Sequence, residues 1–293
     1  MKILFVTRAG GVDYQSDAIF HGLVSLGHEV TDTRYMWYLS PIDDEGRRRQ
    51  WGLGFSIAGK LPDRSGISRD PGEIRARVSD RYYDVVVFGD VWRGMEYFTE
   101  VTRCYPRNRI AFVDGEDHTA IDFMCRHRGT YFKRELVVDD PDLHPVSFAL
   151  PAEQFCCDDA VSSKELDVAA LVPGNRATYV YSTEADYYAA YRKSRFAFTW
   201  KKAGWDCFRH YEILAAGCLP LFTDFPYIPP RTMTTWPRHL QERANWVGFN
   251  WLAGHRNERD YSAVLAEFLA YGRAKLTTTH LAQYVLDTLL ATK

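Results

Sequence analysis

The stretch around residue 200 constrains the fold of this chain more than any other. An amphipathic piece at 187–193 leads into the apolar run RFAFTW at 195–200, which has the composition of a buried strand. A polar loop with a glycine follows at 201–207, a helix begins near Phe208, and a second buried strand occupies 219–222. Strand, loop, helix and strand form one unit of a doubly wound parallel sheet, whose ligands bind beyond the carboxyl ends of the strands. The segment therefore predicts an α/β fold with a binding crevice at this loop.

The residues around the predicted start of the helix suit a phosphorylated ligand. A helix N-terminus offers free backbone N–H groups and a partial positive charge, which stabilise a bound diphosphate. Lys201, Lys202 and Arg209 stand at that end and can add charge-assisted hydrogen bonds to phosphate oxygens. Glu212 follows on the helix, where its carboxylate can accept both hydroxyls of a ribose. The alternative is an ordinary strand–helix–strand unit in which Glu212 and Arg209 form a pair on the helix surface.

Six side chains are predicted to contact a nucleotide-containing ligand. A second phosphate-facing loop is predicted at PGNR, 173–176, because it follows the apolar run LDVAALV at 166–172; an ordinary turn has the same composition. The predicted set consists of Glu212, Arg209, Lys201, Lys202, Arg176 and His210.

The same segment resembles the donor-site signature of the exostosin-like glycosyltransferases. That signature runs as S-x-F, a glycine-containing loop, R-x-x-E-A, G-C-I-P-V and an aspartate. The segment is similar, more loosely, to the glutamate-containing donor motif of many other GT-B glycosyltransferases. The resemblance covers 187–230, with weaker likeness at both chain ends. The matching positions are Ser194, Phe196, Arg209, Glu212, Gly217, Cys218, Pro220 and Asp224.

The resemblance implies a GT-B fold, in which two Rossmann-like domains with parallel sheets face each other across a cleft. It implies a nucleotide-sugar donor, UDP-linked more often than not, with Glu212 on the ribose and Arg209 near the diphosphate. One position departs from the pattern. No acid stands near Gly204, where the two-glutamate motif of many retaining relatives has one, so an inverting mechanism is the expectation.

The chain is predicted to divide into two α/β halves and a terminal helix. The boundaries are 1–151 for an N-terminal acceptor domain, 152–275 for a C-terminal donor domain and 276–293 for the last helix. The resemblance implies that this helix crosses back to the first domain.

The opening of the chain predicts a Rossmann-like unit. A buried strand starts at Lys2, and Ser16 or Asp17 can cap the helix that follows. The loop between them lacks G-x-G-x-x-G, which argues against a dinucleotide site. The resemblance implies instead that residues of this loop face the crevice and the acceptor, namely Gly10, Gly11 and Asp13.

A dense group of ionisable residues, DGEDH at 114–118, directly follows the predicted strand at 109–113. An inverting transferase needs a carboxylate that takes the proton from the acceptor hydroxyl. In the predicted cleft, a base in the N-terminal half would face a donor bound in the C-terminal half. An acidic turn with a helix cap is the alternative. The candidate bases are Asp117, Glu116, Asp114 and His118, and the spacing does not choose among them.

Two further segments have open interpretations. In YFKREL at 131–136, Lys133 and Arg134 either point toward the crevice or form a surface pair with Glu135. WVGFNW at 246–251 is predicted to be a short strand or a loop.

Charge and cysteine content limit the class of protein. A net charge of −2 and a pI near 6.5 argue against a general nucleic-acid binder. No apolar run approaches the roughly 18 residues that span a bilayer. The six cysteines form no Cys-x-x-Cys pair and no histidine cluster has zinc spacing, so we expect neither a metal site nor a cofactor other than the donor substrate. Reduced thiols indicate a cytoplasmic protein.

Three functions follow from these patterns. The first is a metal-independent glycosyltransferase that moves a sugar from a nucleotide-sugar to a hydroxyl on a glycan or small molecule. The second is a glycosyltransferase that acts on a hydroxymethylated base in DNA, with the arginines of GRRRQW at 46–51 holding the DNA backbone. The alternative for GRRRQW is a solvated loop that contacts no partner. The third is a non-catalytic nucleotide- or sugar-binding module. A large separation between DGEDH and Glu212 in space would favour the third.

Overall fold

The N-terminal half is built on a six-stranded sheet. The computed structural model describes residues 1–8, 11–43, 57–156, 164–181 and 183–292. All neighbouring strands of this sheet are parallel, in the order β2-β1-β3-β4-β5-β6. The strands are continuous apolar runs such as VVVF because helices cover both faces of the sheet. Their bounds are Lys2–Val6 (β1), Glu29–Asp32 (β2), Val85–Phe88 (β3), Ile110–Asp114 (β4), Thr130–Lys133 (β5) and Leu143–Pro145 (β6).

Four helices of the described residues belong to this half. The first begins at Asp13, whose carboxylate accepts the backbone N–H of Ser16. The expectation that Ser16 or Asp17 caps this helix is therefore wrong, because both lie inside its first turn. The helix bounds are Tyr14–Ser25 (α1), Pro71–Ser79 (α2), Phe98–Cys104 (α3) and Phe123–Arg128 (α4).

The strand order places a crevice at the carboxyl end of β1. The chain leaves β1 toward β2 on one side of the sheet and reaches β3 on the other side of β1. Loops that follow β1 and β3 therefore separate and leave a space between them, where ligands of doubly wound sheets bind. The described residues just before α1 and the segment after β4 both open onto this edge.

The C-terminal half contains a smaller parallel sheet, in the order β7-β8-β9. Its strands are Leu166–Val168 (β7), Ser194–Thr199 (β8) and Leu219–Phe222 (β9). The helices that follow along the chain are Glu184–Arg192 (α5), Phe208–Ala215 (α6), Arg238–Leu252 (α7), Glu258–Lys275 (α8) and Thr278–Ala291 (α9). The helix α6 ends before Gly217, whose φ of 75° is the left-handed conformation that glycine adopts without strain.

The prediction of a strand or loop at 246–251 is wrong, since this segment is the second half of α7. The buried residues Leu240, Ala244, Val247 and Trp251 recur at helical spacing. Exposed Trp246 lies between them and makes the sequence look uniformly apolar.

The last helix lies on the N-terminal half. Its start pairs with the end of that half, because Leu150 and Thr277 form an isolated parallel bridge. The Nδ1 atom of His21 lies 2.9 Å from the hydroxyl of Thr278, and Gly22 lets α1 approach the same residue closely. One continuous cluster of buried apolar side chains includes residues of α1, α8 and α9. None of the helices among the described residues is long and apolar enough to cross a bilayer.

Candidate functional site

A cavity of about 310 Å³ lies between the two halves, at the carboxyl end of β8. The loop from β8 to α6 and the first turn of α6 form one side of it. The other side comes from α1 and from the segment after β4. Six side chains that define its walls are Tyr14, Asp117, Phe148, Lys202, Arg209 and Glu212.

Glu212 is held in a fixed orientation at the wall of this cavity. The Tyr187 hydroxyl donates a hydrogen bond of 2.8 Å to Oε2 of Glu212, and both side chains line the cavity. Only 5% of Glu212 is exposed. A buried carboxylate with one face toward a cavity is suited to accept ligand hydroxyls, which donate to it.

The N-terminus of α6 supplies positive charge to the same cavity. Its cap residue, Cys207, makes no capping hydrogen bond with its side chain, which leaves first-turn N–H groups available to a ligand. Arg209 is half-buried and forms no ion pair with any described carboxylate. Lys202 is exposed at the cavity mouth. These groups could together hold a diphosphate.

Two other predicted ligand contacts lie outside the lining of the cavity. The Lys201 ammonium lies 4.7 Å from the centre of the Trp205 ring, and its backbone N–H donates to Asp224. Arg176 is exposed on a short 3-10 helix at Arg176–Thr178, and Tyr179 is the residue of that region that lines the cavity.

His210 supports the cavity wall from behind. Its ring is fully buried, with Nε2 3.0 Å from the carbonyl oxygen of Trp205 and Nδ1 2.8 Å from the hydroxyl of Thr199. Burial lowers the pKa of His210 to about 3, so the ring is neutral at pH 7. Because a carbonyl only accepts, Nε2 carries the proton. The predicted contact with the ligand does not fit this position, and the ring instead fixes the loop before α6.

The N-terminal half contacts the loop between β8 and α6 directly. The carboxylate of Glu135 accepts the backbone N–H groups of Trp205 and Asp206, at 3.0 and 3.1 Å. The carboxylate of Asp206 accepts the backbone N–H of Phe148 at 2.8 Å. Burial raises the pKa of Asp206 to about 7, against the opposing effect of Arg134. The loop between β8 and α6 is thus shaped by contacts between the halves.

Arg134 lies at the centre of this contact. The residue is 1% exposed, and its guanidinium donates to the carbonyl of Gly115 and forms ion pairs with Glu135 and Asp117. The alternative in which Arg134 is a surface residue is therefore wrong, because the side chain is buried between the halves. Its charge offsets the buried carboxylates around it.

Asp114 is an unsuitable base among the four predicted candidates. Lys133 donates to its Oδ1 and the Tyr131 hydroxyl donates to its Oδ2, both at 2.7 Å. Asp114 and Lys133 are fully buried. A carboxylate with both oxygens bound and no exposure cannot reach a substrate hydroxyl, and Lys133 is not a surface residue either.

The other three candidates lie nearer to the cleft. Asp117 is half-exposed, lines the cavity that Glu212 lines, and pairs with Arg134. Glu116 pairs with Arg93; burial acts to raise the pKa of Glu116, but the hydrogen bond and charge of Arg93 lower it overall. His118 is exposed, with its ring edge against Trp92 at 5.0 Å between centroids.

Asp13 has the properties of a base that sequence reasoning from DGEDH missed. Its side chain is 15% exposed and lies 3.6 Å from Arg8. Burial raises the pKa of Asp13 to about 6, and the nearby Asp90 charge adds to this. The signal in the sequence was weak but present: Asp90 comes two residues after the end of β3 and Asp114 is the last residue of β4, so both belong to the same edge of the sheet.

Three carboxylates at this edge meet closely. One oxygen each from Asp13, Asp90 and Glu116 lies within 4.8 Å of the other two. Such a set could hold a divalent cation through oxygen ligands. Arg8 and Arg93 already lie 3.9 and 3.5 Å from the carboxylate of Asp90 and supply balancing positive charge.

Solved structures share this two-sheet architecture. One is an alpha-glucosyltransferase in complex with UDP and a 13-mer DNA containing a central A:G mismatch, with a TM-score of 0.51, 11% identity, and coverage of 98% of this chain and 99% of that one. Another is Anabaena HepE in complex with UDP-glucose, with a TM-score of 0.51, 9% identity and full coverage of both chains. The chain has the GT-B fold.

At such low identity the likeness extends to the fold alone. No protein-family model matches the chain, and no curated protein matches its sequence. The exostosin-like signature, the domain limits at 151 and 275 and the roles of the individual site residues therefore stay predictions. The arginines of GRRRQW, together with Gly10, lie outside the described residues.

Proposed function

We propose that this protein is a glycosyltransferase that moves a sugar from a UDP-linked donor to an acceptor hydroxyl, with inversion and without a metal ion. The observation that carries the proposal is that Glu212, Arg209 and Asp117 line one cavity between the two halves of a GT-B fold. The structural neighbours that bind UDP and UDP-glucose support the choice of nucleotide.

The donor site uses the groups at the start of α6. Glu212 accepts the ribose hydroxyls, and Tyr187 holds its carboxylate in place. The diphosphate lies against the uncapped helix N-terminus, with Arg209 and Lys202 beside it. These charges stabilise the UDP that leaves, which is the group on which negative charge develops in the reaction.

Asp13 acts as the base in this proposal. The acceptor oxygen forms a bond to the anomeric carbon while the bond from that carbon to the diphosphate breaks and UDP takes its electron pair. The acceptor proton passes to the carboxylate of Asp13. A carboxylate with a pKa near 6 is ionised at pH 7 and a stronger base than one of ordinary pKa. The hydrogen bond and charge of Arg93 lower the pKa of Glu116, which makes it a weaker base, and the carboxylate of Asp117 is held by Arg134.

Proximity of the acidic segment to the donor site favours catalysis over a non-catalytic module. Asp117 and Glu212 share the wall of one cavity instead of lying far apart. The sequence has no acid next to Gly204, but in the structure Asp117 lies beside it: a Cβ added to Gly204 would lie 2.9 Å from Oδ1 of Asp117. Its ion pair with Arg134 makes Asp117 a weak nucleophile, which is why inversion is proposed.

The test is a thermal-shift titration with UDP, GDP, TDP and CMP. A ligand that binds the folded state raises Tm by mass action. UDP is expected to stabilise the wild type and Glu242→Ala, a control at an exposed position of α7, but not Glu212→Ala. If UDP stabilises Glu212→Ala as much as the wild type, Glu212 does not contact the ribose. If no nucleotide raises the Tm of the wild type, the proposed function is wrong.

A further inference from the structure

A second cavity, of about 370 Å³, lies on the other side of the first turn of α1. Tyr14 faces the donor cavity, whereas Ser16 and Asp17 line the second one. Asp13, at the start of the same turn, lines neither cavity, but its carboxylate lies 3.6 Å from Arg8 in the wall of the second. A volume of this size is in the range of small-ligand sites.

Aromatic rings form part of the wall of this second cavity. Trp37 is 43% exposed and Tyr35 is 37% exposed. Arg69 covers Tyr35, with its guanidinium 4.8 Å from the ring centre, whereas no described cation lies over Trp37. An exposed indole ring in a concave site offers a flat apolar face, on which the C–H face of a sugar ring can pack.

The charged groups of this cavity are paired with acids. Arg34 forms an ion pair with Glu96, and Arg8 lies 3.6 Å from Asp13. Asp17 lies inside and accepts the Tyr38 hydroxyl at 2.8 Å. The described lining carries two arginines and one aspartate, and the acids that pair with the arginines from behind the wall offset their charge, so the wall offers both N–H donors and carboxylate acceptors. That combination suits a neutral ligand rich in hydroxyls, which both donate and accept.

We propose that this cavity binds the acceptor, and that the acceptor is a sugar unit of a glycan. The inference rests on the proposed function, since it names the acceptor of the same reaction. A sugar ring packed on Trp37 brings its hydroxyls to the paired side chains of Arg8 and Arg34, next to Asp13. Protein–DNA interfaces are strongly positive, whereas in the described part of this wall carboxylates meet the arginines, so we propose a saccharide and not DNA as the acceptor.

The experiment measures UDP release from UDP-glucose in the presence of two acceptor panels. One contains monosaccharides and disaccharides of glucose, galactose, mannose and N-acetylglucosamine; the other is duplex DNA with 5-hydroxymethylcytosine. We expect a saccharide to accelerate release at least tenfold. In Trp37→Ala the KM for that saccharide should rise at least tenfold with the KM for UDP-glucose unchanged. Trp246→Ala, at an exposed tryptophan of α7, is the matched control and should behave as the wild type.

Acceleration by DNA alone would overturn the inference, as would a saccharide KM that Trp37→Ala leaves unchanged. If no acceptor accelerates release while UDP still raises Tm, the acceptor assignment fails and the donor site stands. If UDP does not raise Tm, the proposed function itself fails. The two failures are thus distinguishable.

Discussion

The hydroxyl of Tyr187 donates a 2.8 Å hydrogen bond to Glu212, although the two residues lie on different helices and 25 positions apart. Tyr187 is itself buried, and its hydroxyl lies 3.5 Å from that of Tyr191. Burial raises the pKa of Tyr187 well above the ordinary value, and the Glu212 charge adds to this, so the phenol stays a donor. The carboxylate of Glu212 is thereby fixed in one orientation before any ligand binds.

Tyr187→Phe is expected to weaken UDP binding by about tenfold or more, since a hydrogen bond to a charged group contributes about 1.5–3 kcal/mol and 1.4 kcal/mol corresponds to a factor of ten. Isothermal titration calorimetry with UDP measures the change. Tyr227→Phe, at a tyrosine that is 76% exposed, is the matched control. Equal affinity in Tyr187→Phe and the wild type would show that Glu212 does not need this contact.

Asp13→Asn is expected to lower kcat by about 10²–10⁴, the range that a general base contributes. Asparagine caps a helix as well as aspartate does, so α1 should keep its N-terminus. The pKa of Asp13 is raised to about 6, and the base works only when ionised. The kcat/KM of the wild type should therefore rise with pH through about 6 and level off above it.

The control for Asp13 is Asp117→Asn, which removes a half-exposed carboxylate of the same cleft. It should reduce kcat less than Asp13→Asn does and keep the rise through pH 6. UDP affinity should be unchanged in Asp13→Asn, because the residue stands outside the donor cavity. If Asp117→Asn abolishes the pH-dependent rise and Asp13→Asn keeps it, the base is Asp117.

Arg134→Ala is expected to reduce the free energy of unfolding by about 3–5 kcal/mol, because it leaves Glu135 and Asp206 buried without their counter-charge. Urea unfolding measures the loss. Arg243→Ala breaks an exposed pair with Glu267 and should cost less than about 1 kcal/mol. A loss as small in Arg134→Ala as in Arg243→Ala would show that the contact between the halves contributes little to stability.

The strand, loop and helix around residues 201–207 could be predicted because their signals are local. The strand expected at 195–200 is Ser194–Thr199, and the helix begins at Phe208 as expected. Apolar runs and a terminal glycine act over a few residues and can be seen in one sequence. The prediction for 246–251 was wrong because the local pattern there is misleading. Exposed aromatic residues there hide the helical period that the buried residues follow.

The site itself could be predicted only in part. Glu212 and Arg209 were predicted from their place on one helix, and they line the cavity. The contact of Glu135 with the Trp205 N–H joins residues 70 positions apart, and no local pattern encodes it. The raised pKa of Asp13 has the same origin, because its burial and the nearby Asp90 depend on packing between strands distant in sequence.

Gly22→Ala tests the close packing of α9 on α1. In an isolated helix this change would stabilise by about 0.5–1 kcal/mol. Here the new Cβ would lie 1.9 Å from the carbonyl oxygen of Thr278 and 2.7 Å from Cβ of Ala282, so the helices must separate. We expect a net loss of about 2 kcal/mol or more in the free energy of unfolding, as overpacking typically causes.

Urea unfolding measures this loss, and amide hydrogen exchange shows whether α9 opens first. Gly66→Ala is the matched control, because no atom lies within 4 Å of the position of its new Cβ. A stabilised Gly22→Ala protein would mean that α9 is not held against α1. A destabilised Gly22→Ala protein with faster exchange in α9 would show that the close contact between Gly22 and Thr278 holds the terminal helix on the N-terminal half.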